Sequence, residues 1–164
     1  MKIEKIIHCY SISEDINSFK NDLIKECLDQ RKQEEGGLNF KLQTKHLDKL
    51  YDIFIDCSKK ILKPFTLEDN VLKVWCYVTD KSYNLTGWHN HKKSATINAV
   101  IYLQTKNKGV FFKHGKEHLF LKPDDGDMLI FPASLEHKPE PSISDERISL
   151  NLELRCNESE EDIF

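Results

Sequence analysis

Apolar residues recur at helical steps in the first part of the chain and at alternate positions in the rest. Ile3, Ile6, Ile7, Tyr10 and Ile12 predict a short N-terminal strand. Ser13 reads as a helix N-cap, with Glu14 and Asp15 in the first turn, where the helix dipole favours acids. Ile16, Phe19, Leu23, Ile24, Cys27 and Leu28 follow at three- and four-residue steps, predicting one helix to about Gln33 that Gly36-Gly37 closes. A second stripe begins after Thr44 with Leu47, Leu50, Tyr51, Phe54 and Ile55, continues through Ser58, Ile61 and Leu62, and stops at Lys63-Pro64. Both stripes read as ordinary core faces.

From Val71 the period becomes that of strands. Residues 72–78 and 96–103 are rich in β-branched and aromatic side chains, and 109–112 with 119–121 predict a hairpin region. Residues 123–127 form a turn before a strand over 128–131; 132–137 turn again, and the last strand covers 147–154. Ile148, Leu150, Leu152 and Leu154 alternate with Arg147, Ser149, Asn151 and Glu153, so this strand has one dry side and one wet side. Residues 96–103 alternate too, with Ile97, Ala99, Ile101 and Leu103 on one face and Thr96, Asn98, Val100 and Tyr102 on the other. If the leucines pack under the helices, the polar faces of both strands point into the interior. Short strands with frequent turns after two helices predict a β-sandwich or small barrel with the helices on one outer face. We read a single domain over 1–164: a helical preface (1–65), a β core (70–155) and an acidic tail (157–164) that frays.

Composition narrows the function classes. The chain is 39% apolar and 31% charged with net charge −3, which leaves no electrostatic footprint for nucleic acid. No apolar run approaches the ~20 residues that span a bilayer, and the charged start carries no signal-peptide pattern. Cys9, Cys27, Cys57, Cys76 and Cys156 are odd in number and scattered, which argues for a reducing cytoplasmic setting rather than a disulfide framework.

The candidate chemistry centres on Trp88-His89-Asn90-His91. Histidines at i and i+2 of an extended segment point the same way, about 6–7 Å apart at Cα, within reach of one metal ion. A third ligand must come from a distant strand, and His137 is the best placed, with Arg147 following it. His114 and His118 sit in a Lys/Gly-rich stretch with no supporting carboxylate and read as solvated loop residues. Glu136 alternates away from His137, and Trp88 and Asn90 away from the paired histidines. Arg147 also has a structural reading, as an ion-pair partner of Asp145, Glu146 or a helix acid.

The ordered set Trp88-His89-Asn90-His91, Tyr102-Leu103, Gly126-Asp127 with Phe131-Pro132 and His137, then Arg147-Ile148-Ser149-Leu150-Asn151, resembles the Fe(II)/2-oxoglutarate-dependent oxygenases. It is most similar to their small bacterial and tailed-phage group in the prolyl-hydroxylase-like branch. The resemblance covers the second half of the chain. It implies a double-stranded β-helix, or jelly-roll, with two α-helices on one outer face. It further implies an enzyme using Fe(II), 2-oxoglutarate and O2 to couple oxidative decarboxylation of 2-oxoglutarate, giving succinate, to hydroxylation of a C–H bond.

By the same resemblance His89, His91 and His137 hold the iron and, with Arg147, carry the catalysis. Arg147 also pairs with the distal carboxylate of 2-oxoglutarate, aided by Ser149, Tyr102 and Tyr77. His91 stands where most of the superfamily has a carboxylate, so it is either the third ligand or leaves a site of two protein ligands. The substrate is a small molecule or a peptide or protein residue, with no membrane partner, and the location is cytoplasmic, the host's if the chain is phage-encoded. Two other readings stay open: a cupin-like three-histidine dioxygenase without 2-oxoglutarate, and a non-catalytic β-sandwich that binds a metal or ligand.

Overall fold

The computed structural model describes residues 2–34, 39–79, 87–141 and 146–164. Nine strands form two antiparallel sheets: β1 (His8–Ser11), β2 (Asn39–Leu42), β3 (Val74–Val78), β4 (Ile97–Gln104), β5 (Val110–His114), β6 (Glu117–Leu121), β7 (Asp127–Pro132), β8 (Glu136–Pro139) and β9 (Ile148–Leu154). The main sheet runs β1-β7-β4-β9-β3-β2 and the smaller one β6-β5-β8. The helices are α1 (Ser13–Ile16), α2 (Lys20–Arg31), α3 (Leu47–Ile61) and α4 (Glu160–Ile163).

Alternation along the central strands sorts the molecule into layers. Ile97, Ala99, Ile101, Leu150, Leu152, Val74 and Cys76 share a buried face packed with Leu23, Cys27, Leu50 and Phe54 of α2 and α3. Emptying one of these sites, as in Leu152→Ala, is expected to cost about 2–5 kcal/mol. The opposite face meets the smaller sheet through a second cluster that includes Tyr102, Val110, Phe112, Leu129, Phe131 and Leu135. The mainly β jelly-roll with helices on one outer face is therefore the fold observed, and the polar faces of β4 and β9 do point between the sheets.

Several local expectations are corrected. The predicted N-terminal strand is a 3-10 turn over Ile3–Lys5 followed by β1, because Ile3, Ile6 and Ile7 turn inward to fill the cluster between the sheets. Ser13 is the first residue of α1 rather than its cap, and the predicted helix breaks at residues 17–19 into α1 and α2. Its closure at Gly36-Gly37 lies outside the described residues. Ser13 packs on Gly126, whose φ of 90° turns the chain into β7 and where a Cβ would strike the Ser13 hydroxyl. Only glycine suits that position.

The preface also contributes strands: β1 pairs with β7 and β2 with β3 at the two edges of the main sheet. The turn predicted over 132–137 ends in β8, a short edge strand that tolerates its closing Pro139. The acidic tail does not fray. Ser159 caps α4, Ile163 is buried, the Ile163 carbonyl accepts from Lys63 N at 3.1 Å, and Glu160 accepts from Ser134 N at 2.8 Å.

Candidate metal and anion site

The three histidines converge from two backbone supports. His137 lies on β8 opposite Phe112 of β5, and its other edge meets His89 in a single antiparallel bridge. The two residues exchange both backbone hydrogen bonds, His89 N to His137 O at 3.1 Å and His137 N to His89 O at 3.0 Å. His91 is not on a continuing strand. Its N–H donates to Ala133 O at 2.7 Å, and its carbonyl accepts from Ser94 N and Ala95 N, so a turn begins there. The i, i+2 pair still converges, because that turn holds His91 beside His137.

Ring centroids are 4.3 Å apart for His89–His137, 5.3 Å for His91–His137 and 5.4 Å for His89–His91. One ligand atom from each of the three lies within 4.8 Å of the others. In all three rings Nδ1 is engaged: with Gly87 O at 3.0 Å in His89, with Leu135 O at 3.0 Å in His137, and with Glu153 Oε1 at 2.7 Å in His91. A carbonyl can only accept, so in His89 and His137 Nδ1 carries the proton and Nε2 keeps its lone pair. The Nε2 of His91 is buried with no partner. Burial lowers the pKa of His89, and His91 beside it adds to the effect. Burial, then the neighbouring His89, holds His137 down to about 3. At neutral pH both imidazoles are neutral.

Arg147 occupies the other end of the same cavity. It is only 2% exposed. Its Nη1 donates to Glu140 O and its Nη2 to Gly109 O, both at 2.7 Å, while its backbone N–H donates to Thr79 Oγ1 at 2.8 Å. Gly109 also lets β6 come close, since a Cβ there would collide with the Leu121 carbonyl and the Phe120 ring. Nε has no partner, and no carboxylate forms a salt bridge with Arg147 among the described residues. Of the acids considered as its partners, Asp145 lies outside the described residues; Glu146, at φ 62°, and the helix acids do not pair with it. Burial lowers the Arg147 pKa, opposed by Tyr102, Tyr77 and Glu140. Burial raises that of Tyr102.

Cross-strand register assembles the rest. Ser149 of β9 stands opposite Tyr77 of β3 on one side and Tyr102 of β4 on the other, giving a Tyr77–Ser149–Tyr102 row beside Arg147. The three histidines, Arg147 and this row line a single cavity of about 300 Å³. Trp75, 39% exposed, lines it as well, so the cavity opens beside β3.

Two residues that the alternation places on the inward polar faces had no role assigned to them. Glu153 bonds His91, and Asn98, its cross-strand neighbour on β4, is fully buried with neither amide atom partnered. Glu153 stands on the polar face with Arg147, Ser149 and Asn151, as the alternation predicts, but that alternation names no partner for it. His114 and His118 lie on the β5–β6 hairpin rather than in a loop, exposed and away from the cavity. Trp88 packs outward, its ring under Lys113 Nζ at 4.7 Å and Lys138 Nζ at 4.9 Å.

No family model matches the chain, and no curated protein does either. Solved structures do. A prolyl-4-hydroxylase from Pseudomonas putida matches at TM-score 0.59 and 12% identity, covering 91% of this chain and 92% of that one. A viral collagen prolyl hydroxylase from Paramecium bursaria Chlorella virus-1, solved as its 2-oxoglutarate complex, matches at 0.60 and 13%, covering 93% and 97%. A prolyl 4-hydroxylase from Phytophthora capsici matches at 0.66 and 10%, covering 95% of this chain and 60% of the other. The chain has the fold of these prolyl hydroxylases. No helix among the described residues is long and apolar enough to cross a membrane.

Proposed function

We propose that the protein is a non-heme Fe(II) oxygenase that consumes 2-oxoglutarate and O2, releases succinate and hydroxylates a C–H bond. One observation carries the reading: a buried arginine without a carboxylate partner among the described residues shares a cavity with three inward-facing histidines. A buried cation is costly unless an anion meets it, and a guanidinium suits a carboxylate better than an ammonium does. The carbonyls of Glu140 and Gly109 hold the guanidinium fork in place. Ser149, Tyr77 and Tyr102 add hydroxyls beside it.

The histidines fit a divalent iron: imidazole nitrogen suits it, and the buried, unpartnered Nε2 of His91 is the atom a metal would satisfy. Iron bound there supplies the oxygen chemistry that 2-oxoglutarate decarboxylation drives. The protein's share is to hold three imidazole donors on one side, fix the co-substrate carboxylate at Arg147 and keep bulk water out. Fold similarity to the prolyl hydroxylases supports this reading, and the opening beside Trp75 suits a peptide side chain or a small molecule as substrate.

The three-histidine set is also what a cupin-like dioxygenase without 2-oxoglutarate would use. Such an enzyme would turn over unaffected by 2-oxoglutarate, whereas ours forms succinate only when iron and 2-oxoglutarate are both present. The deciding measurement is an anaerobic difference spectrum with Fe(II) and 2-oxoglutarate, backed by a thermal shift. Failure of 2-oxoglutarate to bind the iron-loaded protein, or to move its melting temperature, overturns the proposal.

A further inference from the structure

The donor set contains a puzzle of charge. Three neutral imidazoles leave a divalent ion with its full double charge, where two histidines and a carboxylate would cancel part of it. The cavity offers no acid as a direct ligand, since the metal-competent group among the described residues here is His89, His91 and His137 alone. An acid nevertheless stands one residue behind. Glu153 Oε1 lies 2.7 Å from His91 Nδ1, with both side chains largely buried. Asn151 Nδ2 reaches the same oxygen at 3.4 Å, and the strand carrying Glu153 is clamped between β3 and β4. The partner of His91 Nδ1 is a carboxylate, whereas His89 and His137 use backbone carbonyls.

We infer that Glu153 is the charge-compensating carboxylate of the site, a positioning residue that acts through His91 by holding its ring with Nε2 toward the ion and making it the strongest donor of the three. The inference rests on reading the histidines as metal ligands. A carboxylate accepting the Nδ1 proton fixes the tautomer and raises the basicity of Nε2, and losing such a partner commonly weakens a metal site 10–100-fold. The competing account is a plain ion pair, in which His91 is protonated, bound to Glu153 and withheld from metal. The two accounts make opposite predictions, because removing Glu153 weakens metal binding in the first and frees His91 for it in the second.

Co(II) titration of the metal-free full chain, read by its visible spectrum, separates them. Glu153→Ala should weaken Co(II) binding about 10–100-fold. Glu153→Gln, which keeps an acceptor without the charge, should fall between Ala and wild type and retain the wild-type spectral shape, and Glu153→Asp should recover part of the affinity. Melting curves of the metal-free variants separate this effect from misfolding, with Gln as the variant that preserves shape. Binding to Glu153→Ala as tight as wild type, or tighter, overturns the inference. If His91→Ala leaves the affinity unchanged, His91 is no ligand and the inference falls while a two-histidine site stands. If wild type binds no Co(II), the metal reading and the inference fall together.

Discussion

Among the described residues two clusters have the composition of a metal site, and they differ in what their atoms already do. Asp22, Glu26 and His46 bring ligand atoms as close together as the three histidines do. Yet His46 Nε2 is 2.7 Å from Asp22 Oδ2, Lys45 Nζ is 3.1 Å from the same oxygen, and the His46 ring stacks on Phe19 at 4.7 Å. Those contacts already occupy His46 and Asp22 at the junction of α2 and α3, and they leave Glu26 Oε2 buried without a partner. Among His89, His91 and His137 the acid in contact, Glu153, meets His91 at Nδ1, every Nδ1 is engaged, and the buried Nε2 of His91 is left over. Ligand-type residues in proximity are common. Buried polar atoms without a partner are rare in a folded protein, and what distinguishes the second cluster is that its unpartnered atom belongs to a residue lining the cavity that also holds the buried Arg147.

The comparison breaks most easily at its strongest point. Replacing His137 or His89 by alanine should reduce metal affinity at least 100-fold and abolish iron-dependent succinate formation, whereas His46→Ala should change neither. Metal titration of the three variants side by side checks this, and equal losses in all three would erase the distinction.

Next in size is the anion end. Arg147→Lys should leave metal binding intact while weakening 2-oxoglutarate at least tenfold, about 1.4 kcal/mol, because an ammonium cannot serve two carbonyls and a carboxylate in one plane. Calorimetry with 2-oxoglutarate on metal-loaded protein reads it directly.

A subtler contrast lies in pH. The His137 pKa, held near 3 by burial, sits below the ordinary value of 6.5. Above pH 6.5 folded and unfolded chains both carry this imidazole neutral, and it contributes nothing to pH dependence. Below that, the unfolded chain takes up a proton that the fold refuses, so stability falls as pH drops from 6.5 toward 3, by about 1.4 kcal/mol per pH unit for this group. His137→Asn should flatten the acid limb of stability against pH by about one proton, as measured by denaturant unfolding. The smallest expected effect is at the Asp22–Glu26–His46 cluster: Asp22→Asn should leave metal affinity and 2-oxoglutarate binding at wild-type values.

Much of the architecture is legible in the sequence wherever an element is long enough to show its period. The alternation of β9 and β4 announced a dry face and a wet face, and the stripe from Leu47 marked α3. Four residues do not establish a period, which is why β2 and β8 escaped notice although each decides something: β2 closes an edge and β8 carries His137. The histidine pair was legible for a reason only half right. His89 sits in a strand-like bridge, but His91 is aimed by the turn that begins at it. Glu153 was placed on the inward polar face by its alternation, but its partner was hidden, because alternation along one strand does not say which distant residue, here His91, the carboxylate meets.

The reciprocal hydrogen bonds between His89 and His137 have a consequence for local opening. Both amide protons are held in the same two-bond ring, and β8 has no other partner on that edge among the described residues. A single local fluctuation therefore releases both, and it also separates two of the three imidazoles. Amide exchange at these two positions should then proceed at matched rates in the metal-free protein and slow together when metal is added, in proportion to how far the metal concentration exceeds its dissociation constant. Two backbone protons thus become a built-in gauge of occupancy, readable without any turnover.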